Sequence, residues 1–229
     1  MYSIQETVYK FKLEYDKLDS NDFPKLELPQ IIILLNKAQL IEVGTAYNKF
    51  EEDQSSVDDI QIIHIKDLPL ITYTVSNALT NEYSAPLPDN YYALTRSYSY
   101  GVNTVCGSQV LYNSQITHNE LNEVLQDPNR KPSYDWQEIP IVLSQDKVFG
   151  YTDSTFTLET LKIEYLRNPT NMDIIGYTHF DSTASTNVNC EFPDNFQEKI
   201  ISMALLIAKG VVQDQFGVQV NAQQLQLQN

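Results

Sequence analysis

The sequence predicts an α+β fold, with an N-terminal helical hairpin and a C-terminal core helix packed with a central, mostly antiparallel β-sheet or sandwich. Three observations support this class. Apolar residues recur at helical spacing over residues 3–52 and again over 194–213. Between 57 and 170 the chain instead alternates polar and apolar residues in short runs, which is typical of half-buried strands. The chain has only seven glycines, which argues against a loop-dominated scaffold.

The first helix is predicted from a capping box formed by Ser3 and Glu6. Its apolar stripe comprises Ile4, Val8, Phe11, Tyr15 and Leu18. Pro29 suits the first turn of a second helix. The apolar side predicted for that helix comprises Ile31, Leu34, Leu35, Ala38, Ile41 and Thr45. The short turn between the two helices favours an antiparallel hairpin.

The C-terminal helix is the most apolar predicted element. Phe192-Pro193 ends the preceding chain, and we expect Asp194 to cap the helix with Gln197 reaching back. One stripe comprises Phe196, Ile200, Met203, Ala204, Ile207 and Val211, and the second comprises Ile201, Leu205, Ala208 and Val212. Two interpretations stay open. Either the chain itself covers both stripes, or the second stripe faces a neighbouring subunit.

The region between the terminal helices predicts a series of strands. They are expected over 60–65, 70–75, 92–100, 105–112, 139–143, 147–151 and 158–166. A second capping box, Thr117 with Glu120, predicts a short helix through Leu125. No repeat or linker divides the chain, so we expect residues 1–215 to form one domain, followed by an extended arm over 216–229.

Charge narrows the classes of function. Thirty acidic and fifteen basic residues give a formal net charge of -15, which is a poor match to phosphate and argues against ordinary nucleic-acid binding. The same charge suits a surface along which DNA passes without specific binding. Apolar runs are too short to span a bilayer and no leader pattern opens the chain, so we expect a soluble protein without a membrane partner.

Signatures of catalysis are missing from the sequence. It has no glycine-rich phosphate loop, no nucleophile elbow and no histidine pair at zinc spacing. Cys106 and Cys190 belong to no Cys-x-x-Cys pair, so free thiols are expected. His179, Asp181 and Cys190 are the residue types of a Cys–His–Asp triad, but they lie in and beside a polar loop. We therefore predict no enzyme, no catalytic residue, no cofactor and no metal.

A proline-bracketed segment, residues 127–136, contains the densest basic spot and the only tryptophan. One interpretation of Arg130 and Lys131 is a solvated turn. The interpretation we favour is a docking loop that offers positive charge on an otherwise negative protein. Trp136 joins the expected interface, although with the tyrosines it would also suit a carbohydrate-stacking platform.

The last fourteen residues switch from helical to alternating periodicity. The apolar positions are Phe216, Val218, Val220, Leu225 and Leu227, separated mostly by polar residues. One interpretation is a frayed terminus. We favour an arm that adds a strand to a neighbouring subunit or to the next ring, because alternate side chains would then fill pockets there.

Four segments of the chain resemble, in order, features of the neck or head-to-tail connector proteins of tailed phages, particularly the ring proteins of crAss-like phages. They are Leu87-Pro88-Asp89-Asn90-Tyr91, Asp127-Pro128-Asn129-Arg130-Lys131-Pro132-Ser133-Tyr134, Ile163-Glu164-Tyr165-Leu166-Arg167-Asn168-Pro169 and Phe192-Pro193-Asp194. The opening helix pair and the acidic break after it fit the same order. The resemblance covers nearly the whole chain, but no single motif in it is diagnostic.

This resemblance implies a virion structural protein repeated in a homo-oligomeric, twelvefold ring between the portal and the tail. It implies the portal protein and adjacent neck or tail rings as partners, assembly in the host cytoplasm, and no catalytic residues. The alternative from another class is a carbohydrate-binding or adhesion module on a virion or cell surface. An enzyme, most naturally a polysaccharide hydrolase, ranks third.

Overall fold

Four helices and one nine-stranded sheet form the regular structure of the part of the chain that can be described, which confirms the α+β class. The structure is a computed structural model and describes residues 1–16, 25–52, 60–66 and 70–211. Leu18 and Val212 of the predicted stripes lie outside these residues. The helices are α1 (Ile4–Asp16), α2 (Leu28–Glu52), α3 (Leu121–Gln126) and α4 (Asp194–Val211).

The strands fall within the predicted central region. They are β1 (His64–Ile65), β2 (Ile71–Thr72), β3 (Thr74–Asn77), β4 (Glu82–Pro86), β5 (Tyr91–Asn103), β6 (Gly107–Gln115), β7 (Glu138–Ser144), β8 (Lys147–Tyr151) and β9 (Thr157–Arg167). The chain divides into two compact units, residues 1–63 with 169–229, and residues 64–168. A single domain over 1–215 stays a prediction.

The predicted Ser3–Glu6 capping box forms, whereas the Thr117–Glu120 box forms only in part, since no side-chain hydrogen bond caps α3. The Glu6 carboxylate accepts a 2.8 Å bond from the Ser3 N–H, and the Glu6 N–H donates to Ser3 Oγ at 3.2 Å. These bonds satisfy amides that the first helical turn leaves without partners. Glu120 likewise accepts from the Thr117 N–H at 3.0 Å. That box forms one turn early, because α3 begins only at Leu121.

Helix α4 is the centre of the helical unit, since α1 and α2 both pack against it. Ile201 is fully buried, and Leu205 and Ala208 are almost so. The chain therefore covers the second stripe itself, which favours the core-helix interpretation over a stripe that faces a neighbouring subunit. Gln197 is also buried, and its side chain donates to the Phe192 carbonyl at 2.7 Å.

The buried face of α2 differs from the predicted one. Ile31, Leu35 and Ala38 are buried as expected, but Ile41 is exposed and Glu42 is buried. One residue turns a helix by about 100°, so the face that buries Ala38 continues to Glu42 and leaves Ile41 outside. Burial raises the pKa of Glu42, although the positive charges of Lys199 and Lys49 act in the opposite direction.

The sheet closes on itself. Its order is β1-β9-β5-β6-β7-β8-β4-β3, with β6 and β7 parallel and the other pairs antiparallel. β2 pairs with β9 while β3 pairs with β4, so one bent segment joins strands from distant places in this order. Tyr73, between the two short strands, donates its N–H to the Glu159 carbonyl at 2.8 Å. This arrangement leaves few exposed strand edges at which other chains could pair, and β1, at one end of the order, is one of them.

The core of this unit consists of side chains from most of its strands. Its buried members include Leu111, Ile139, Ile141, Phe156, Leu161, Ile163 and Tyr165. The strand predicted over 60–65 is mostly wrong. Residues Gln61–Ile63 form a 3-10 turn, in which the Ile63 N–H donates to the Ile60 carbonyl at 3.1 Å, and only His64–Ile65 pair as strand. The turn buries Ile60 and Ile63 and leaves Ile62 exposed, which strict alternation does not anticipate.

In the described ranges, none of the helices combines the length and the apolar character that a bilayer crossing requires.

The burial of α4 gives a stability prediction. Ile201→Ala should lower the free energy of unfolding by about 2–5 kcal/mol, because it removes a fully buried side chain and leaves a cavity. Ile33→Ala, at an exposed position of α2, is the control and should change it by about 0.5 kcal/mol or less. Urea unfolding followed by circular dichroism measures both. Equal, small effects would show that α4 is not covered within the chain.

Candidate docking site

The predicted docking loop, residues 127–136, has a fixed backbone. Asp127 Oδ1 accepts from the Asn129 N–H at 2.9 Å, and the Asp127 carbonyl accepts from the Arg130 and Lys131 N–H groups at 3.2 and 2.9 Å. Ser133 and Glu138 pair through two backbone hydrogen bonds of 2.9 and 3.2 Å. The loop thus consists of two hydrogen-bonded turns that lead directly into β7.

Trp136 stands out from this loop with 85% of its surface exposed. The backbone N–H of Trp136 donates to Ser133 Oγ at 3.3 Å, and the backbone N–H of Gln137 donates to the Tyr134 carbonyl at 3.1 Å. Gln137 has φ = 58°, a left-handed conformation that few residues other than glycine adopt. The backbone turns sharply there, and the turn holds the indole ring away from the core.

Tyr134 anchors the loop to the closed sheet. Its side chain is buried, its hydroxyl donates to the Gly107 carbonyl at 2.7 Å, and its ring packs against Phe156 with 5.6 Å between centroids. Gln109 donates to the Tyr134 carbonyl. A buried aromatic residue therefore lies two positions from the exposed one, so the tryptophan is presented on a rigid support.

A cleft of about 250 Å³ opens beside the indole. Its lining residues are Pro128, Asn129, Lys131, Ser133, Trp136 and Glu138. Clefts for drug-sized ligands enclose about 300–1,000 Å³, so this one suits a single side chain or a single sugar ring. An aromatic face, an ammonium, an amide and a carboxylate together allow stacking, hydrogen bonding and charge pairing with such a group.

The structure thus brings together two of the three loop residues that the sequence predicted as interface. Lys131 and Trp136 line the cleft, whereas Arg130 is exposed beside it and not part of its lining. Hydrogen bonds from Thr117 and, to a smaller extent, the charge of Arg130 lower the pKa of Glu120. The predicted arm residues Phe216, Val218, Val220, Leu225 and Leu227 lie outside the described residues, so the arm stays a prediction.

Each residue of the Cys–His–Asp combination considered from the sequence, His179, Asp181 and Cys190, has another partner in the structure. His179 Nε2 lies 3.2 Å from Asp173 Oδ2, and Asp181 Oδ1 accepts from the Thr183 N–H at 3.0 Å. Cys190 is buried, with its sulfur 4.0 Å from Gln39 Oε1, and burial raises its pKa to about 11. A thiol with so high a pKa stays protonated near neutral pH and is a poor nucleophile.

The polar network around Asp173 was not predicted from the sequence. Its carboxylate accepts from the Thr186 N–H and the Tyr177 hydroxyl, both at 2.7 Å, and from the Ile174 N–H at 2.9 Å, besides its contact with His179. Burial raises the pKa of Asp173, but these bonds outweigh burial and leave the pKa lowered. Burial and the bond to Asp173 raise the pKa of Tyr177 to about 12. The only sequence signal is the polar composition of this loop.

Two of the four segments that carry the phage resemblance contact one another. The Asn90 side chain accepts from the Tyr165 hydroxyl at 2.7 Å, and the Asn90 carbonyl accepts from the Asn168 N–H at 2.7 Å. Asn168 Nδ2 donates to the Tyr91 carbonyl at 3.1 Å. These bonds join the start of β5 to the end of β9, so both segments serve the closed sheet.

Comparison with known proteins identifies no relative. No protein-family model matches the chain, and no curated protein is significantly similar to it in sequence.

Among the residues that the structure describes, no group of three or more histidine, cysteine, aspartate or glutamate side chains could hold a metal ion.

The Asp173 network gives a pH-dependent prediction. An Asp that titrates at about 3.9 when unfolded and lower when folded stabilises the fold above pH 3.9, and this contribution is lost as the pH falls through the folded pKa. Asp173→Asn should therefore be less stable than the parent at pH 7, and the difference should shrink below pH about 4. Urea unfolding at a series of pH values measures it.

Asp146→Asn is the charge-matched control, since it removes one carboxylate from an exposed turn. A stability difference between parent and Asp173→Asn that is constant across this pH range would contradict the assignment of the network to the charged carboxylate.

Proposed function

We propose that this protein is a virion structural subunit that forms a ring in the neck of a tailed phage, between the portal and the tail. One observation carries the proposal. A rigid, proline-bracketed loop that carries Arg130 and Lys131 presents an exposed tryptophan beside a small cleft, on a chain with a net charge of -15. The ordered resemblance of four segments to phage ring proteins supports the same conclusion.

The docking loop has the properties of a protein-binding hot spot. Tryptophan and arginine are enriched among the residues that dominate binding energy, and a fully exposed indole gains most when a partner covers it. The turns and the Tyr134 anchor already fix the loop, so little conformational entropy remains to be lost on docking. Arg130 and Lys131 would complement an acidic neighbouring ring and guide its approach.

The overall charge suits the wall of a DNA conduit. Double-stranded DNA binds proteins mainly through cations that neutralise its phosphates. A strongly acidic ring offers few such cations, so DNA can slide along it without being held. In this proposal the loop with Arg130 and Lys131 contacts protein, and the acidic remainder of the chain surrounds passing DNA.

The proposed role is structural, not catalytic. The buried Cys190 thiol has a pKa of about 11, and the His179 ring faces a carboxylate already occupied by three other donors. Neither arrangement provides an activated nucleophile. These observations support an assembly component, with the portal and adjacent rings as partners and the virion as its location.

The cleft favours one second candidate, a carbohydrate-binding module. An exposed indole beside Asn129 and Glu138 offers both a stacking face and hydrogen-bonding groups for a sugar ring. Trp136 is the only tryptophan, so fluorescence excited selectively at tryptophan, and not at the fifteen tyrosines, reports on this cleft alone. Saturable fluorescence changes on titration with bacterial surface oligosaccharides would favour this candidate over the ring subunit.

Ring formation by the full chain tests the proposal, and truncation of the C-terminal arm tests how the ring forms. The full chain should form closed rings in negative-stain images. A chain ending at residue 215 should keep the same far-ultraviolet circular dichroism yet no longer form rings or bind the portal, because strand addition by the arm is lost.

Two results would contradict these expectations separately. A full chain that stays monomeric and binds no portal or neck protein would overturn the proposed function. Rings formed equally well by the truncated chain would leave the function standing and show that the arm is dispensable.

The docking loop has its own prediction. The double substitution Arg130→Glu and Lys131→Glu should leave the fold intact and weaken binding to the adjacent neck component, because attraction becomes repulsion. Lys66→Glu with Lys147→Glu is the matched control, since it changes net charge equally at exposed positions away from the loop. Binding of the partner should shift the Trp136 emission to shorter wavelength in the parent and in the control. An equal loss of binding in the control would assign the effect to net charge, not to the loop.

A further inference from the structure

A second exposed aromatic side chain, Phe180, lies at the tip of the loop formed by residues 173–188, and its surface is entirely exposed. It is followed by the acidic Asp181. A lone exposed apolar residue needs no explanation, but a phenyl ring presented by an ordered turn does.

This tip is fixed by hydrogen bonds. The His179 N–H donates to the Thr183 carbonyl at 2.9 Å, and the Ser182 N–H donates to the His179 carbonyl at 3.0 Å. Asp181 Oδ1 accepts from both the N–H and the hydroxyl of Thr183, at 3.0 and 2.6 Å. The base of the loop is closed by two backbone bonds between Asp173 and Val188. Phe180 is thus the tip of a preformed turn.

A cavity of matching chemistry lies between α1 and the start of α2. It measures about 250 Å³ and is lined by Phe11, Tyr15, Leu26, Ile31, Lys12 and Lys25. A cavity of about 150 Å³ is enough to hold a benzene molecule, so this one can hold a phenylalanine side chain. Phe11 and Ile31 are fully buried, so among the described residues the apolar surface open to a ring belongs to Leu26 and, in small part, Tyr15. Lys12 and Lys25 suit an adjacent carboxylate.

We propose that Phe180 of one copy inserts into this cavity of the next copy, with the Asp181 carboxylate meeting Lys12 or Lys25. Phe180 does not fill the cavity of its own chain, because its whole surface is exposed. The contact joins two different surfaces, and such head-to-tail contacts generate rings when the rotation between copies closes. The inference rests on the proposed ring and names the contact that joins its subunits.

Charge favours a second copy as the occupant. The chain has half as many basic as acidic residues, yet two lysines border this apolar cavity. The tip offers the complementary order, an aromatic residue followed by an acid. Every copy carries both halves of the contact, so each subunit of a ring would donate one tip and accept another.

Disulfide cross-linking tests this contact. In a Cys106→Ser background, which removes the exposed native thiol, one chain carries Asp181→Cys and another carries Lys25→Cys. Mixing and mild oxidation of the two chains should give linked pairs that contain one copy of each. Lys147→Cys replaces Lys25→Cys in the control and should give few such pairs. Equal linkage in both mixtures would overturn the contact.

Substitutions in the full chain test its contribution to assembly. Phe180→Ala should weaken self-association, measured by mass photometry across a dilution series, by about tenfold or more, as for an aromatic hot spot. Asp181→Asn keeps an oxygen that accepts from Thr183 but removes the charge, so it should weaken association less. Ile175→Ala, at another exposed position of the same loop, is the control and should associate like the parent.

The outcomes separate this inference from the proposed function. Rings that persist unchanged in Phe180→Ala overturn the contact and leave the ring subunit standing. Open chains or dimers that need Phe180 but never close support the contact and overturn the ring. A full chain that is monomeric at every concentration overturns both.

Discussion

An exposed aromatic side chain can select a partner only if the backbone beneath it is already fixed, and both candidate contact surfaces meet this constraint with an anchoring residue that hydrogen bonds hold in place. Under Trp136 the anchor is Tyr134, whose hydroxyl and ring are held by Gly107 and Phe156. Under Phe180 it is Asp173, whose carboxylate ties the loop together through four groups. Because ordering is completed on folding, binding would not have to supply it.

The two anchors differ in their chemistry, and this difference has consequences. Tyr134 belongs to the apolar core of the closed sheet, so its loop should be as stable as the sheet itself. The Asp173 loop has little apolar burial, and a charged carboxylate is its main organiser. Its order should therefore weaken in acid while the sheet remains folded, since protonation of Asp173 removes the stronger hydrogen bonds that a carboxylate accepts.

Much of the fold was predictable because local signals agree with the tertiary structure. The Ser3–Glu6 box and the apolar stripes of α1 and α4 each lie within a single helix, so the spacing of residues along the sequence is enough to predict them. The face of α2 was not predictable in full, since Ile41 and Glu42 are adjacent and only tertiary packing decides which is buried. In 60–65, a run of β-branched residues suggested strand, but burial of Ile60 and Ile63 at a spacing of three favoured a 3-10 turn.

Less of the candidate sites than of the fold could be predicted from the sequence. Prolines and the single tryptophan located the docking loop, but the cleft depends on the Ser133–Glu138 pairing, which has no sequence motif. The Asp173 network joins polar residues up to 13 positions apart, with no periodicity that could report it. Conversely, Phe180 was visible as a large apolar residue within a polar loop. A contact for Phe180 could be proposed only from the folded structure, because the cavity near Lys25 is lined by residues that lie apart in the sequence.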